Sequence, residues 1–294
     1  MIAIIGKGIE WSMLPITREL GKQGHNSVII AFQDNVARYS KYNKGYYKIP
    51  NNLDSNFIKF IRHICKINDV DGIICVHEDL KSFLISNQSY IRNFKFIMPD
   101  ENLFEIANNK KKAFKFVKSL GLPIPKIYKI NNYNDLENIV IKDKVVVKKV
   151  FGVSSENIKY CKNSQELVRV FKQMQSSPTF KSDSIPIVQD FIGGPTYLTQ
   201  GISFEGKVRA VVPHYKYREW PPSGGITCRA KTINSDRLVK YTKKIAESLS
   251  WEGEFGMEWK YNDIEDEFYF IEMNPRFEGS VDIAVKSGVN LPKI

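Results

Sequence analysis

Cysteine, histidine and long apolar runs are all scarce in this chain of 294 residues. The four cysteines and four histidines are scattered singly, without the spacing of a zinc site. We therefore interpret the thiols as reduced, small hydrophobic side chains of a cytoplasmic protein. No apolar run approaches the roughly 20 residues that span a bilayer, so the sequence predicts neither a zinc site nor a membrane association.

The two ends of the chain differ in pattern. The apolar start MIAIIGKGIE has no basic leader and reaches Lys7 and Glu10 too soon for a signal peptide, so we interpret it as a first strand. The other end, SGVNLPKI, stops within a helical pattern. We expect a terminal helix to be missing there.

Positive charge exceeds negative charge, with 43 Lys and Arg against 32 Asp and Glu, which gives a net charge of +11. Such an excess suits an anionic ligand or nucleic acid. The lysines are spread along the chain, however, with only NKKKAFK clustered, and no aromatic stacking motif of an RNA-binding module is present. We expect no nucleic-acid partner.

The first hundred residues alternate between strand and helix patterns. The segments MIAIIG, SVIIAF, VDGIICV and FKFIMP are typical of buried strands, and helical stretches separate them. This alternation predicts a parallel sheet covered by helices, a Rossmann-like unit. The loop GKGIEWS after the first strand is either an anion site made by backbone amides or a purely structural turn.

The rest of the chain mixes helices and strands in the manner of an α+β fold. A helix is predicted from Glu101 until Gly121 and Pro123 stop it. The strand KVVVKKV, the loop FGVSSENI, a helix starting at NSQEL and a second group of strands follow. A helix across SDRLVKYTKKIAESL precedes a final hairpin.

The final hairpin, FGMEWKYNDIEDEFYFIEMNPRF, carries the strongest chemical signal. A turn centred in NDIEDE places Glu258 opposite Glu272 on one face, where like charges repel each other. A divalent cation such as Mg2+ between them, with the Asn274 amide oxygen as a neutral ligand, removes that repulsion. Arg276 then supplies positive charge for a phosphoryl group. The alternative is a solvent-facing Glu258 and a simple Arg276–Glu272 pair.

Three weaker signals precede the hairpin. Lys148 lies on an apolar strand face, and the next loop offers Gly152, Ser154 and Ser155 to phosphates. The segment QDFIGGP has the form of a hinge whose backbone groups at residues 189–192 could read an adenine edge, and REWPPSGG holds Arg218 in a constrained loop. Each alone is also explained by an ordinary feature: an edge-strand lysine with a polar turn, a strand end, or a simple turn of the chain.

The order of these motifs resembles the ATP-grasp superfamily over nearly the whole chain. The resemblance is greatest to the carboxylate-amine ligases and the carbamoyl-phosphate-synthase-like branch, in which the second Glu segment reads E-x-N-P-R. It implies an α/β Rossmann-like N-terminal domain at residues 1–100. A two-lobed α+β ATP-grasp fold would follow, with lobes at 101–187 and 188–294 and the metal site in the second lobe.

The resemblance also implies roles for individual residues. Lys110 and Lys148 would contact the phosphates of ATP, Ser154 and Ser155 would lie in the loop that covers them, and the hinge Gln189, Asp190, Phe191 and Ile192 would meet adenine. Glu258, Glu272 and Asn274 would bind two Mg2+ ions, with Mn2+ as an alternative metal. Arg276 would stabilise the transferred phosphoryl group, and Arg218 would share acceptor recognition with the loops GKGIEWS and VHEDLKS.

Three features depart from the family pattern. The phosphate loop keeps only Gly152 of the usual glycines, and Thr196 stands where relatives place a ribose-binding Glu. Gln189 replaces the usual hinge Glu. These changes affect the parts that hold the nucleotide and leave the metal and arginine set intact.

The implied reaction is the ATP-dependent joining of a substrate carboxylate to an amine. The carboxylate would attack the γ-phosphate of ATP, and an amine would then displace phosphate from the acyl phosphate. No protein nucleophile is needed, in keeping with the lack of a Ser-His or Cys-His constellation in the sequence. The alternatives are a non-catalytic ATP-binding module and an ATP-grasp kinase. We expect small-molecule acid and amine substrates and a homodimer.

Overall fold

The computed structural model describes residues 1–49, 53–152, 158–176, 185–222 and 224–294. The described chain forms three sheets: a four-stranded sheet near the N-terminus, a second four-stranded sheet and a five-stranded sheet. Strand pairing is parallel in the first and antiparallel in the other two. This arrangement confirms the predicted combination of a Rossmann-like unit with a two-lobed α+β fold.

The N-terminal sheet has the strand order β3-β2-β1-β4. Its strands are β1 Ile2–Gly6, β2 Ser27–Ala31, β3 Asn43–Lys48 and β4 Gly72–Cys75. Its helices are α1 Met13–Lys22, α2 Ser55–Ile67, α3 Glu78–Ser86 and the short α4 Gln88–Ile91, with a 3-10 helix at Val36–Tyr39. Isoleucine and valine side chains of the central strands fill both faces of the sheet and are almost fully buried.

Two details of this unit differ from the prediction. The edge strand β3 has the sequence NKGYYK, which is half exposed and has no apolar run to reveal it. The predicted strand FKFIMP forms only an isolated parallel bridge between Gly72 and Lys95. The Lys95 N–H donates to the Asp71 oxygen, and the Lys95 oxygen accepts from the Ile73 N–H. The pairing does not extend into a ladder among the described residues.

The helix predicted from Glu101 is two helices, α5 Glu101–Asn108 and α6 Lys110–Ser119. Asn109 separates them: its backbone is extended, and its side chain accepts hydrogen bonds from the N–H groups of Lys111 and Lys112. An Asn N-cap satisfies amides that have no partner within the helix. The break places Lys110 at the start of α6, next to the five-stranded sheet.

The second four-stranded sheet has the order β5-β8-β6-β7. Its strands are β5 Ile127–Tyr128, β6 Val145–Lys148, β7 Ile158–Cys161 and β8 Ile187–Asp190. The helices α7 Tyr133–Glu137 and α8 Ser164–Gln175 cover one face, and Leu136, Leu167 and Phe171 pack there against Val147. Because β8 extends to Asp190, this sheet reaches the hinge. The division of the chain at residues 100 and 187 stays a prediction.

The five-stranded sheet has the order β11-β10-β9-β12-β13. Its strands are β9 Thr196–Phe204, β10 Lys207–Trp220, β11 Ile226–Thr232, β12 Gly253–Asn262 and β13 Glu267–Asn274. The helix α9 Asp236–Ser248 packs on the apolar face, where Trp259 and Phe270 are buried, and the helix α10 Val281–Lys286 and a 3-10 helix at Leu291–Lys293 end the chain. Among the described helices, none has both the length and the apolar character that a membrane crossing needs.

Candidate active site

The polar face of the five-stranded sheet brings several predicted residues together in rows. One row runs from Leu198 on β9 through Glu258 on β12 to Glu272 on β13. The next row runs from Gln200 through Gly256 to Asn274. Residues directly opposite each other share a face of an antiparallel sheet. The predicted opposition of Glu258 and Glu272 is therefore confirmed, with Asn274 two residues along on the same face.

Each of the two carboxylates has a lysine partner from another element. Lys216 Nζ is 3.1 Å from Glu258 Oε2, and Lys110 Nζ is 3.2 Å from Glu272 Oε2. Burial raises the pKa of Glu258 and is partly opposed by Lys216. Burial acts in the same direction on Glu272, but Lys110 and Lys148 outweigh it and hold the pKa of this carboxyl below its usual value. The alternative of a solvent-facing Glu258 is wrong.

Lys148 lies at the end of β6, close to Glu272. Its ammonium group donates to the backbone oxygen of Ile271 at 3.3 Å and sits 4.6 Å from the centre of the Phe114 ring. Burial lowers its pKa to about 7. A buried ammonium group loses its hydration, so it needs a nearby anion to stay protonated. A phosphate at this position would supply that negative charge.

Lys110 extends the same positive region towards the predicted phosphate loop. Its ammonium group donates to the backbone oxygen of Gly152 at 2.9 Å, where the loop begins. Ser154 and Ser155, the predicted loop residues, lie outside the described residues. Their contact with phosphate stays a prediction.

The hinge after β8 is held by the protein itself at two of its amides. The Asp190 N–H donates to the Lys126 oxygen at 2.9 Å, and the Phe191 N–H donates to the Lys144 oxygen at 3.4 Å. Lys144 Nζ also lies 3.8 Å from the centre of the Phe191 ring. An adenine edge would therefore need other hinge groups, of which the Ile192 amide is one.

Gln189 has a buried amide oxygen without a hydrogen-bond partner in the described part of the chain. Buried acceptors of this kind are rare in folded proteins because they lose their bonds to water. The side chain therefore has a free acceptor at the predicted hinge.

Thr196 is buried, and its hydroxyl donates to Glu219 Oε2 at 3.3 Å. Glu219 also pairs with Lys216, so a carboxylate stands next to Thr196 although position 196 has none. Sequence reasoning assigned no role to Glu219 or Lys216. The strand period of two assigns positions 216 and 219 to opposite faces, but register shifts in β10 between them bring both side chains together.

Arg276 connects the five-stranded sheet to the N-terminal unit. Its Nε donates to Glu78 Oε1 at 2.5 Å, and its Nη1 lies 3.4 Å from Glu278 Oε2. Burial acts against its charge, but Glu78 and Glu278 raise the pKa of the guanidinium. The alternative pairing of Arg276 with Glu272 is wrong.

A buried ion pair fixes the turn that carries Arg276. Lys81 on α3 is 0% exposed, and its ammonium group is 2.6 Å from Glu254 Oε1 and 3.0 Å from the Pro275 oxygen. The start of α3 is thereby attached to both β12 and the end of β13. Most of the predicted loop VHEDLKS is therefore the first turn of α3, where Glu78 contacts Arg276.

Two predicted contributors to acceptor recognition behave differently. The amides of Lys7 and Gly8 in the loop GKGIEWS donate to the Glu10 carboxylate at 2.9 and 2.8 Å, so an internal carboxylate occupies them. Arg218 is exposed and lies opposite Arg229, and its side chain has no hydrogen bond or ion pair within the described ranges. Its role in acceptor recognition stays a prediction.

The donor set on the polar face fits a hard cation. Glu258, Glu272 and Asn274 offer two carboxylates and one amide oxygen, because the Asn274 amide nitrogen donates to Glu278. No group of three or more His, Cys, Asp or Glu side chains suited to a metal occurs in the chain as described. A Mg2+ ion held by two carboxylates would take its other ligands from phosphate and water.

Comparison with known proteins identifies the family. Residues 107–280, more than half of the chain, match the ATP-grasp domain. The chain belongs to the ATP-grasp family. The matched segment contains every residue of the polar face described above, from Lys110 to Glu278.

Relatives of this ATP-grasp protein are distant. The carbamoyl phosphate synthase large chain of Clostridium acetobutylicum is 22% identical over 306 residues, an alignment that covers 99% of this chain and 27% of the relative. The chain thus spans about a quarter of that relative's length.

Solved structures share the fold at low identity. The biotin carboxylase of Campylobacter jejuni, in its complex with an ATP ligand, has a TM-score of 0.77 at 19% identity, covering 99% of this chain and 69% of that one. The L-amino acid ligase of Bacillus licheniformis has a TM-score of 0.75 at 17% identity, covering 99% and 72%. These similarities show that nearly the whole chain shares the fold of both structures.

Proposed function

We propose that this ATP-grasp protein is an ATP- and Mg2+-dependent ligase that activates a substrate carboxylate and joins it to an amine. The observation that carries the proposal is the pairing of Glu258 with Glu272 beside Asn274, enclosed by Lys110 and Lys148. Two carboxylates surrounded by cationic side chains suit a metal-bound polyphosphate.

The nucleotide would lie between the two antiparallel sheets. Glu258, Glu272 and Asn274 would hold Mg2+, which neutralises phosphate oxygens when bound. Lys110 and Lys148 approach the same place from α6 and β6, so they would hold the phosphates from the opposite side. Phosphoryl transfer requires chiefly positioning and charge neutralisation, which these residues provide.

Arg276 would act on the transferred phosphoryl group. Glu78 and Glu278 hold its guanidinium group, and Glu278 also accepts a hydrogen bond from Asn274. The substrate carboxylate would attack the γ-phosphorus as the bond to the ADP oxygen breaks, and Arg276 would stabilise the charge on the phosphoryl oxygens. The neutral amine nitrogen would then attack the acyl carbon and the C–O bond would break. Inorganic phosphate would leave and take up the proton that the nitrogen loses.

The distant relatives support this reaction class by their names alone. An L-amino acid ligase and a carbamoyl phosphate synthase share the fold and the sequence pattern, respectively. Neither identifies the acid or the amine for this chain.

The test is phosphate release from Mg-ATP by the purified protein, with amino acids and small carboxylates offered singly and in pairs. A ligase releases phosphate only when both an acid and an amine are present. Release with a single substrate and a stable phosphorylated product would indicate a kinase instead. ATP binding without release for any pair would indicate a non-catalytic module.

A further inference from the structure

We propose that Glu278, Gln200 and Ser280 form the binding site for the amine substrate. The Asn274 side chain lies between this site and the carboxylates proposed to bind Mg2+. This inference rests on the proposed ligase function. The recognised group is a primary amine, bound through its N–H donors. Gln200 lies on β9, and Glu278 and Ser280 lie in the segment after β13. None of them is among the predicted site residues.

The Glu278 carboxylate is fixed on the polar face of the sheet. Its Oε1 accepts a hydrogen bond from Asn274 Nδ2 at 2.7 Å, and its Oε2 lies 3.4 Å from Arg276 Nη1. It rests directly over Gly256, where a Cβ atom would come within 2.1 Å of Oε1. Only glycine leaves room for the carboxylate at this point.

Gln200 lies beside Glu278 because it pairs with Gly256 across β9 and β12. Its side chain is 99% buried, since the residue is 1% exposed. Gln200 Nε2 donates to the Ser280 backbone oxygen at 3.1 Å and to the Ser280 hydroxyl at 3.2 Å. A carbonyl oxygen can only accept, so this contact fixes which end of the amide is nitrogen.

The oxygen end of the Gln200 amide lacks a hydrogen-bond donor in the described part of the chain. Its Oε1 is buried and has no hydrogen-bond partner among the described residues. A buried acceptor without a donor loses the bonds that water gave it, so a partner is expected. The register places this oxygen on the same face as Glu278 and Asn274.

The chemistry of the three residues selects a group that donates hydrogen bonds. A carboxylate and an amide oxygen both accept, and the Ser280 hydroxyl lies 3.3 Å from His214 Nε2 and can adjust to either role. An ammonium or amine presents two or three N–H donors to such a set. A second carboxylate would instead meet the charge of Glu278.

The position also suits the reaction. Asn274 donates to Glu278 through its amide nitrogen and leaves its oxygen for the metal, so it separates the amine site from the metal site. Arg276 adjoins the same carboxylate. An amine held by Glu278 and Gln200 would therefore stand next to the acyl phosphate.

The experiment measures amine binding directly, without turnover. Methylamine, ethanolamine, ethylenediamine and glycinamide are titrated by calorimetry into the wild-type protein and the variants Glu278→Gln and Gln200→Met, with and without Mg-ADP. Asp282→Asn is the charge control, because its carboxylate is exposed and pairs with Lys286 on α10. We expect at least one amine to bind the wild type, a loss of tenfold or more in Kd for both site variants, and less than a twofold change for the control.

Three results would overturn the site. These are failure of all four amines to bind the wild type, an equal loss in Asp282→Asn, and an unchanged Kd in both Glu278→Gln and Gln200→Met. The variant Glu78→Gln also removes a carboxylate from Arg276. If Glu278→Gln weakened amine binding no more than Glu78→Gln does, Glu278 would only hold the arginine, and the site would be rejected. Thermal unfolding of every variant checks that it is folded. Phosphate release is measured separately, so amine binding without any turnover would reject the ligase function and keep the site.

Discussion

Glu258 and Glu272 stand opposite each other across β12 and β13, and a lysine from a different element pairs with each. Neighbouring like charges in a sheet repel each other unless cations lie close by. Lys216 and Lys110 supply that charge within the protein. The pair therefore forms the centre of a charged face on which a metal and a polyphosphate would join existing cations.

Replacement of Glu272 by Ala should abolish ATP turnover and leave the fold intact. The variant loses one of the two carboxylates proposed to hold Mg2+, so we expect phosphate release to fall by about 100-fold or more. The matched control is Glu265→Gln, an exposed carboxylate in the turn of the same hairpin, with turnover within twofold of the wild type. Undiminished turnover in Glu272→Ala would contradict the metal assignment.

Binding of Mg-ATP at pH 8 should take up a proton at Lys148. Burial lowers the pKa of this lysine to about 7, so most molecules carry a neutral amine at pH 8. A bound phosphate favours the ammonium form and should return its pKa towards the ordinary value, with uptake of about one proton per nucleotide. Calorimetric titrations in buffers with different ionisation enthalpies measure the uptake. Lys148→Met should bind without it, and equal uptake in both proteins would exclude Lys148 as the source.

The same lysine should make stability depend on pH. Its folded pKa of about 7 lies below the value in an unfolded chain, so the unfolded state binds more protons between the two values. The free energy of unfolding contributed by this group should therefore rise as pH increases from about 7 towards 10. Urea unfolding at several pH values measures the slope. We expect Lys148→Met to have a smaller slope, and an identical slope would contradict the shift.

Lys81 and Glu254 should be strongly coupled in stability. Removal of one partner leaves the other charge buried and unpaired, so Lys81→Met should lower the free energy of unfolding by about 3–5 kcal/mol. The double variant Lys81→Met with Glu254→Gln should be destabilised by less than the sum of the two single changes. Urea unfolding of all four proteins completes the cycle. Simple additivity would show that the 2.6 Å contact contributes no coupling.

Arg276→Lys should lower the catalytic rate far more than nucleotide affinity. A lysine keeps the charge but loses the planar fork that contacts Glu78 and Glu278 together. We expect kcat for phosphate release to fall about 100-fold, because a lysine that Glu78 and Glu278 no longer orient would stabilise the charge on the transferred phosphoryl group less well. The Kd for Mg-ATP should change less than threefold. A large loss of affinity with normal kcat would place Arg276 in ground-state binding.

The final hairpin was predictable from sequence because its contacts are local. Alternating apolar and polar residues identified both strands, and the polar turn between them determined the register that opposes Glu258 and Glu272. The alternation of strand and helix likewise predicted the parallel N-terminal sheet. The helix break at Asn109 was missed, although Asn is a common N-cap and marks such a position.

The sequence alone thus determined the N-terminal parallel sheet and the carboxylate pair, since short-range periodicity and turn position are sufficient for both. The two-lobed remainder was predicted only from the resemblance to the ATP-grasp superfamily. Only the tertiary structure decided which charges surround that pair. Arg276 binds Glu78 from a helix 198 positions earlier, and Lys81 reaches Glu254 across 173 positions. Glu219 joins Lys216 because register shifts in β10 reverse the face that the strand period predicts. Contacts of this kind depend on how separate elements pack, which no local pattern encodes.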